Sequence, residues 1–165
     1  MTNKEIKNLT PEVEMGKKLK FKDKLEMTGK SDFEFKNYKD KKIVLYFYPK
    51  DSTPGCTQEG HDFTDMKAKF SRQNAVILGV SRDSLKSHEN FKSKQNYKID
   101  LISDPEEKLC RYFGVIQPKS LYGKKFMGVE RSTFVIDENQ KLILEWRKVK
   151  VKGHAEEVLQ AIKEL

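Results

Sequence analysis

A chain of 165 residues, 36% hydrophobic and 35% charged, has apolar material for one packed domain and no run near the roughly 18 apolar residues of a membrane span. The net charge of +8 is spread through interleaved lysines and acids, and the densest basic stretch, KKLKFKDK, is interrupted by Asp23 and accompanied by no nucleic-acid-binding motif. Cys56 and Cys110 are too few for a disulfide framework, and the mixed-charge N-terminus lacks the apolar core of a secretory signal, so a cytoplasmic protein with reduced thiols is expected, without nucleic-acid or membrane partners.

Taken in order, residues 18–22 and 32–36 alternate apolar and polar around Thr28-Gly29, which predicts a β-hairpin. Ile43 to Tyr48 is a continuous β-branched and aromatic run, the pattern of a strand covered on both faces. From Thr57 to Arg72, Phe63, Met66 and Phe70 fall at helical spacing. Ala75 to Val80 is a second buried strand, and Ser84 to Asn96 an amphipathic helix facing Leu85 and Phe91 inward. A short strand over Ile99–Ile102 precedes Asp104-Pro105-Glu106-Glu107, a helix start with capping carboxylate, early proline and first-turn acids. Strands over Arg131–Asp137 and Lys141–Trp146 flank a short turn, and Ala155, Val158, Leu159, Ile162 and Leu165 mark one face of a final helix. The alternation predicts an α/β fold: a central mixed β-sheet flanked by helices on both faces.

The segment KDSTPGCTQEGHDF places Cys56 where the first strand ends and the following helix begins. Pro49 and the run Asp51-Ser52-Thr53-Pro54-Gly55 force a turn, so Cys56 falls in the first helical turn, whose unpaired N–H groups favour thiolate over thiol. The carboxyl end of a central strand is also where open α/β folds place their sites.

These residues carry a resemblance. LYFYPKDSTPGCTQEGHDF resembles the active-site segment of the peroxiredoxins, in particular the bacterioferritin comigratory protein, or Q-type, subfamily. Pro49, Thr53 and Cys56 match its Pro-x-x-x-Thr/Ser-x-x-Cys motif, and GVSRDSLKSHENF, LISDPEEKL, ERSTFVID and VKGHAEEVL continue the likeness to the end of the chain. Residues 1–30 depart from the family pattern: KLKFKDKLEMTG stands where Ala-Pro-x-Phe is usual. The resemblance implies a single thioredoxin-like domain over residues 1–165 and a thioredoxin-dependent thiol peroxidase for hydrogen peroxide and organic hydroperoxides. It implies that Cys56 is the nucleophile, that Arg131 holds thiolate and peroxide, and that the Thr53 hydroxyl and the N–H groups of Gly55 and Cys56 complete the cradle while Pro49 excludes water. The reductant would be thioredoxin, glutaredoxin or a low-molecular-weight thiol, and the chain a monomer. No cofactor or metal is implied.

Many members of that subfamily carry a resolving cysteine five residues after the first, and here that position is His61. His61 lies about 140° around the helix from Cys56, too far to serve as its base, and an exposed helix histidine is expected. His88 and His154 lack ligand spacing. Cys110 is the one alternative resolving thiol, and its pattern reads as partly core-facing. A single-cysteine cycle, with the Cys56 sulfenic acid resolved by an external thiol, is therefore expected, and three rivals stand against it: a two-cysteine peroxidase using Cys110, a disulfide oxidoreductase, which Glu59 in place of a second motif cysteine disfavours, and a non-catalytic holdase or binding module.

Overall fold

Lys42–Phe47 forms β1, and Ile43, Val44, Leu45, Tyr46 and Phe47 are all buried, as an apolar run without alternation requires. The computed structural model describes residues 10–29 and 31–165; the expectation for the extreme N-terminus lies outside them. Chain reversal at the end of β1 leads into α1 (Pro54–Asp65), followed by α2 (Lys67–Arg72), β2 (Ala75–Ser81), α3 (Leu85–Gln95), β3 (Asp100–Ser103) and α4 (Lys108–Tyr112). Then come β4 (Ile116–Leu121), β5 (Lys124–Val129), β6 (Ser132–Ile136), β7 (Leu142–Trp146) and α5 (His154–Lys163).

The strands assemble as a five-stranded sheet in the order β3-β2-β1-β6-β7 and a separate ribbon β4-β5. β1, β2 and β3 run parallel, whereas β6 lies antiparallel to β1 and β7 to β6, so the sheet is mixed as expected. Alternate residues of β1 feed two cores. Ile43, Leu45 and Phe47 pack with Leu109, Cys110 and Phe113 of the α4 region and with Phe33 and Phe35 of the N-terminal segment. Val44 and Tyr46 pack on the other face with Cys56 and Phe63 of α1, Phe70 of α2, Phe91 of α3 and Val158 of α5. Helices therefore cover both faces.

Several elements differ from expectation. Residues 18–22 do not pair with 32–36. Lys18 bridges to Lys141 beside β7, and Leu25 bridges to Phe33, so among the described residues the hairpin-like pairing there is one bridge wide. The single helix expected over 57–72 starts at Pro54, as proline at the first helical position favours, and divides at Met66, whose N–H bonds back three residues to the Phe63 carbonyl. In α3 the inward residues are His88 and Phe91, with Leu85 only half-buried. α4 begins later than Pro105 because Asp104 to Glu107 close a turn of their own, with Glu107 in the left-handed region at φ 61°. The Asp104 carboxylate instead accepts from the Cys110 backbone N–H at 2.8 Å. Leu165, assigned to the buried face of α5, is exposed.

Candidate active site

Parallel and antiparallel neighbours on β1 create the site. The antiparallel register sets Phe47 opposite Ser132, so Arg131, just before β6, stands beside the carboxyl end of β1, where the loop to α1 departs. Thr53 is the N-cap of α1 with extended backbone, and Cys56 is its third helical residue. Thr53 makes no side-chain cap, so the N–H groups of Gly55 and Cys56 keep the unpaired, positive character of a helix start. The Thr53 hydroxyl donates to the Lys50 carbonyl at 2.8 Å, which leaves its lone pairs, rather than its proton, for anything else.

Cys56 is buried, and Arg131 Nη2 donates to its Sγ at 3.4 Å. The other arm of the same guanidinium, Nη1, donates to Glu59 Oε1 at 2.6 Å. Cys56 and Glu59 are three residues apart on one face of α1, so a single planar donor spans both. Gly55 lies under it: a Cβ there would sit 3.2 Å from Arg131 Nη2.

Glu59 is the residue that sequence reasoning passed over, although its spacing from Cys56 placed it on the same helix face. It is 1% exposed and its Oε2 has no hydrogen-bond partner. Burial pushes its carboxyl up to about 7, with Arg131 pulling the other way and Asp62 adding to the rise. Burial works against the charge of Arg131, but Glu59 and Cys56 outweigh it, so the guanidinium is held above its ordinary range. The sign of the Glu59 shift gives a test. Between pH 4.5 and about 7 the folded state holds a proton that the unfolded state has lost, so stability falls as pH rises through this window. Relative to Glu59→Gln, the wild type should lose about 3 kcal/mol of unfolding free energy across it, read by denaturant titration at each pH. Parallel pH profiles for the two proteins would refute the shift.

The loop itself is fastened from below. Asp51, buried, accepts from the Tyr48 hydroxyl at 2.6 Å and the Ser87 hydroxyl at 2.8 Å, and faces His88 Nδ1 at 2.7 Å. His88 Nε2 lies 2.9 Å from the Ile102 carbonyl, which can only accept, so Nε2 carries a proton. The Asp51 N–H donates to Asp83, which also accepts from Ser81. Asp51, Asp83 and His88 bring ligand atoms within 4.8 Å of one another, but these atoms are engaged in the network that ties Pro49 to Thr53 onto β2, β3 and α3.

α1 is pinned as well. Tyr97 donates from its hydroxyl to the Thr57 carbonyl at 2.8 Å and packs where a Cβ on Gly60 would lie 2.2 Å from its ring, so only glycine fits at position 60. His61, expected to be exposed, is half-buried: its Nε2 meets Gln95 Oε1 at 2.9 Å and its ring stands edge-on to Tyr97. It faces α3 and not Cys56. His154 is buried, bonded to the Thr133 hydroxyl at 2.7 Å, and burial lowers its imidazole to about 4, so it is neutral at physiological pH. Cys110 is fully buried in the opposite core, where burial and then the Asp104 carboxylate push its thiol well above the ordinary range. A groove of about 710 Å³ along Glu12, Val13, Phe21 and Tyr112 contains none of these groups.

Residues 15–144 match the family model AhpC/TSA family. Peroxiredoxin Bcp of Xanthomonas campestris pv. campestris is 50% identical over 139 residues, 84% of this chain and 87% of that protein, and Peroxiredoxin Bcp of Bacillus subtilis is 54% identical over 129 residues, 78% of this chain and 82% of that protein. The chain belongs to the AhpC/TSA family, as a peroxiredoxin of the Q, or bacterioferritin comigratory, type. In three dimensions the peroxiredoxin superposes on Xanthomonas campestris peroxiredoxin Q with TM-score 0.82 and 49% identity, covering 86% of this chain and 89% of that one. A cysteine-to-serine mutant of Xylella fastidiosa PrxQ superposes with TM-score 0.88 and 42% identity, covering 92% and 96%. The peroxiredoxin is thus a thiol peroxidase on the thioredoxin-like fold expected from sequence. Its mixed sheet lets Cys56 arrive by a parallel crossover and Arg131 by an antiparallel strand.

Proposed function

We propose that this peroxiredoxin reduces hydrogen peroxide and organic hydroperoxides at Cys56 in a single-cysteine cycle completed by an external thiol. The Xanthomonas campestris bacterioferritin comigratory protein, 48% identical, has alkyl peroxide reduction activity, which supports the substrate class. The Cys56 thiolate attacks one peroxide oxygen in line and the O–O bond breaks. The sulfur becomes a sulfenic acid, and the departing oxygen takes a proton to leave as water or an alcohol. Charge that develops on the two oxygens meets Arg131 and the first-turn N–H groups of Gly55 and Cys56. Thr53, its proton committed to Lys50, accepts a hydrogen bond from the protonated peroxide oxygen and so selects which oxygen faces the sulfur. Pro49 keeps water from the rim.

One observation supports the single-cysteine cycle above others: Cys56 and Cys110 belong to cores on opposite faces of the sheet. A bridge needs their Cα atoms within about 7 Å, and β1 with its neighbours stands between them. His61 cannot supply the missing sulfur, and its contact with Gln95 helps keep α1 folded. The sulfenic acid therefore waits for thioredoxin, glutaredoxin or a low-molecular-weight thiol: the first thiol displaces water to give a mixed disulfide, and a second restores Cys56. The two free, buried cysteines suit a reducing cytoplasm, and one chain carries every group named, so a monomer suffices.

The test is mass spectrometry after one equivalent of peroxide. The expected product is a gain of one oxygen on Cys56, with Cys110 still alkylatable after denaturation. A loss of two hydrogens with both thiols blocked would establish an internal bridge and overturn the cycle; a disulfide-linked dimer would transfer resolution to a second chain.

A further inference from the structure

The ribbon β4-β5 stands apart from the five-stranded sheet, and every residue from 120 to 127 is exposed. Of the six large apolar side chains exposed among the described residues, four are here: Leu121 at 57%, Tyr122 at 96%, Phe126 at 44% and Met127 at 41%. Such concentration marks a contact surface, where the same residues scattered singly would mean nothing. The charge is equally one-sided. Residues 115–129 hold Lys119, Lys124 and Lys125 and no acid. The register alternates the two kinds of side chain, setting Lys119 opposite Phe126 and Leu121 opposite Lys124 on one face, with Met127 and Lys125 on the other. Tyr122 and Gly123, both left-handed at φ 49° and 78°, make the tip.

The root of the ribbon belongs to the active site. Ile116 and Val129 are buried, Glu130 N–H donates to the Val115 carbonyl at 2.7 Å, and Arg131 follows at once. A second basic segment, Lys148, Lys150 and Lys152, is fastened beside the same arginine by the bond from Val149 N–H to its carbonyl at 2.9 Å.

We propose that this ribbon seats the peroxiredoxin on an anionic lipid surface, with the mouth of the Cys56 site turned toward hydroperoxides of the lipid. An aromatic tip at headgroup depth, apolar neighbours just below it and lysines whose stems lie along apolar surface are what an anionic interface accepts. A second copy fits less well, because two ribbons would set lysine against lysine with no acid to answer. The sequence expectation of no membrane partner rested on the lack of a spanning run. No helix among the described residues is long and apolar enough to cross a membrane, and a ribbon lying on the surface needs none. The lipid-hydroperoxide part rests on the peroxidase reading above; surface binding does not.

The experiment is flotation of the full chain with phosphatidylcholine vesicles and with vesicles mixed with phosphatidylglycerol. Retention on the mixed vesicles should exceed that on the neutral ones by about tenfold or more, since each lysine near an anionic surface contributes roughly fivefold, and it should fall with added salt. Tyr122→Ser should weaken retention, and Lys124→Glu with Lys125→Glu should abolish it. Consumption of hydrogen peroxide by these variants should match wild type, while reduction of a phospholipid hydroperoxide in mixed vesicles falls with binding. Equal retention on both vesicles, retention unchanged in the variants, or a dimer in sedimentation velocity that Tyr122→Ser disperses would each overturn the proposal. Anionic vesicle binding by a wild type that consumes no peroxide would leave the docking surface standing and remove the peroxidase reading alone.

Discussion

Cys56→Ser should reduce peroxide turnover to background, a loss on the order of 10⁴-fold or more, because a hydroxyl in the same place is not a nucleophile at neutral pH and no second group can take over its role. Cys110→Ser should leave the first oxidation step at the wild-type rate per folded molecule. The comparison is informative because both thiols are buried, so exposure does not separate them. What separates them is charge: Cys56 faces the Arg131 guanidinium at 3.4 Å, whereas Cys110 faces the Asp104 carboxylate. A cation favours thiolate and an anion opposes it. Serine at position 110 can donate to the same carboxylate, so its stability cost should stay near the 1–3 kcal/mol of a buried hydroxyl. Stopped-flow oxidation by peroxide reads the first step for each variant, and a block by Cys110→Ser would reverse the assignment.

Arg131→Ala should slow the second-order reaction with peroxide by about 10²- to 10³-fold, the usual cost of removing a charged donor aimed at developing negative charge. Thr53→Val should cost less, since a neutral hydrogen bond is worth roughly half a charge-assisted one. The arginine variant has a second consequence through Glu59. Removing Arg131 leaves a 1%-exposed carboxyl without the one hydrogen-bond donor it has among the described residues, so the protein should also lose stability, by about 3 kcal/mol at neutral pH. Adding Glu59→Gln to Arg131→Ala replaces the unpaired carboxyl with a neutral amide and should restore most of that stability while the rate stays low. If the double variant regained rate together with stability, Arg131 would be a structural residue, and the loss in the single variant would be a folding defect.

Much of this was legible from local pattern. β1 and β2 announce themselves because strands buried on both faces are apolar almost without interruption, β6 and β7 because a short turn separates two strand-like runs, and the Cys56 junction because proline and glycine end a strand in only a few ways. Pro49, Thr53 and Cys56 lie within eight residues of one another, so their grouping is a local property of the chain. The remainder needed the sheet. Arg131 was named only through the family resemblance; it is 75 residues from Cys56, and the antiparallel register of β6 on β1 is what sets its guanidinium beside the sulfur. Glu59 stands out in the sequence only as the absence of a second motif cysteine until α1 is laid on the sheet and Arg131 meets it, and His61 reads as exposed until the end of α3 and the residues after it bring Gln95 and Tyr97 against it. The ribbon escaped pattern reading because a strand pair with neither face buried has no hydrophobic alternation to display. The two cysteines illustrate the division most plainly. The sequence shows one thiol in a polar turn and one between Leu109 and Arg111, while the parity of β1, which sends Tyr46 to one core and Phe47 to the other, decides that they lie on opposite sides of a sheet. Side-chain direction along a strand is local, but which helix covers which face depends on the handedness and length of crossovers, and those are settled only when the whole chain packs.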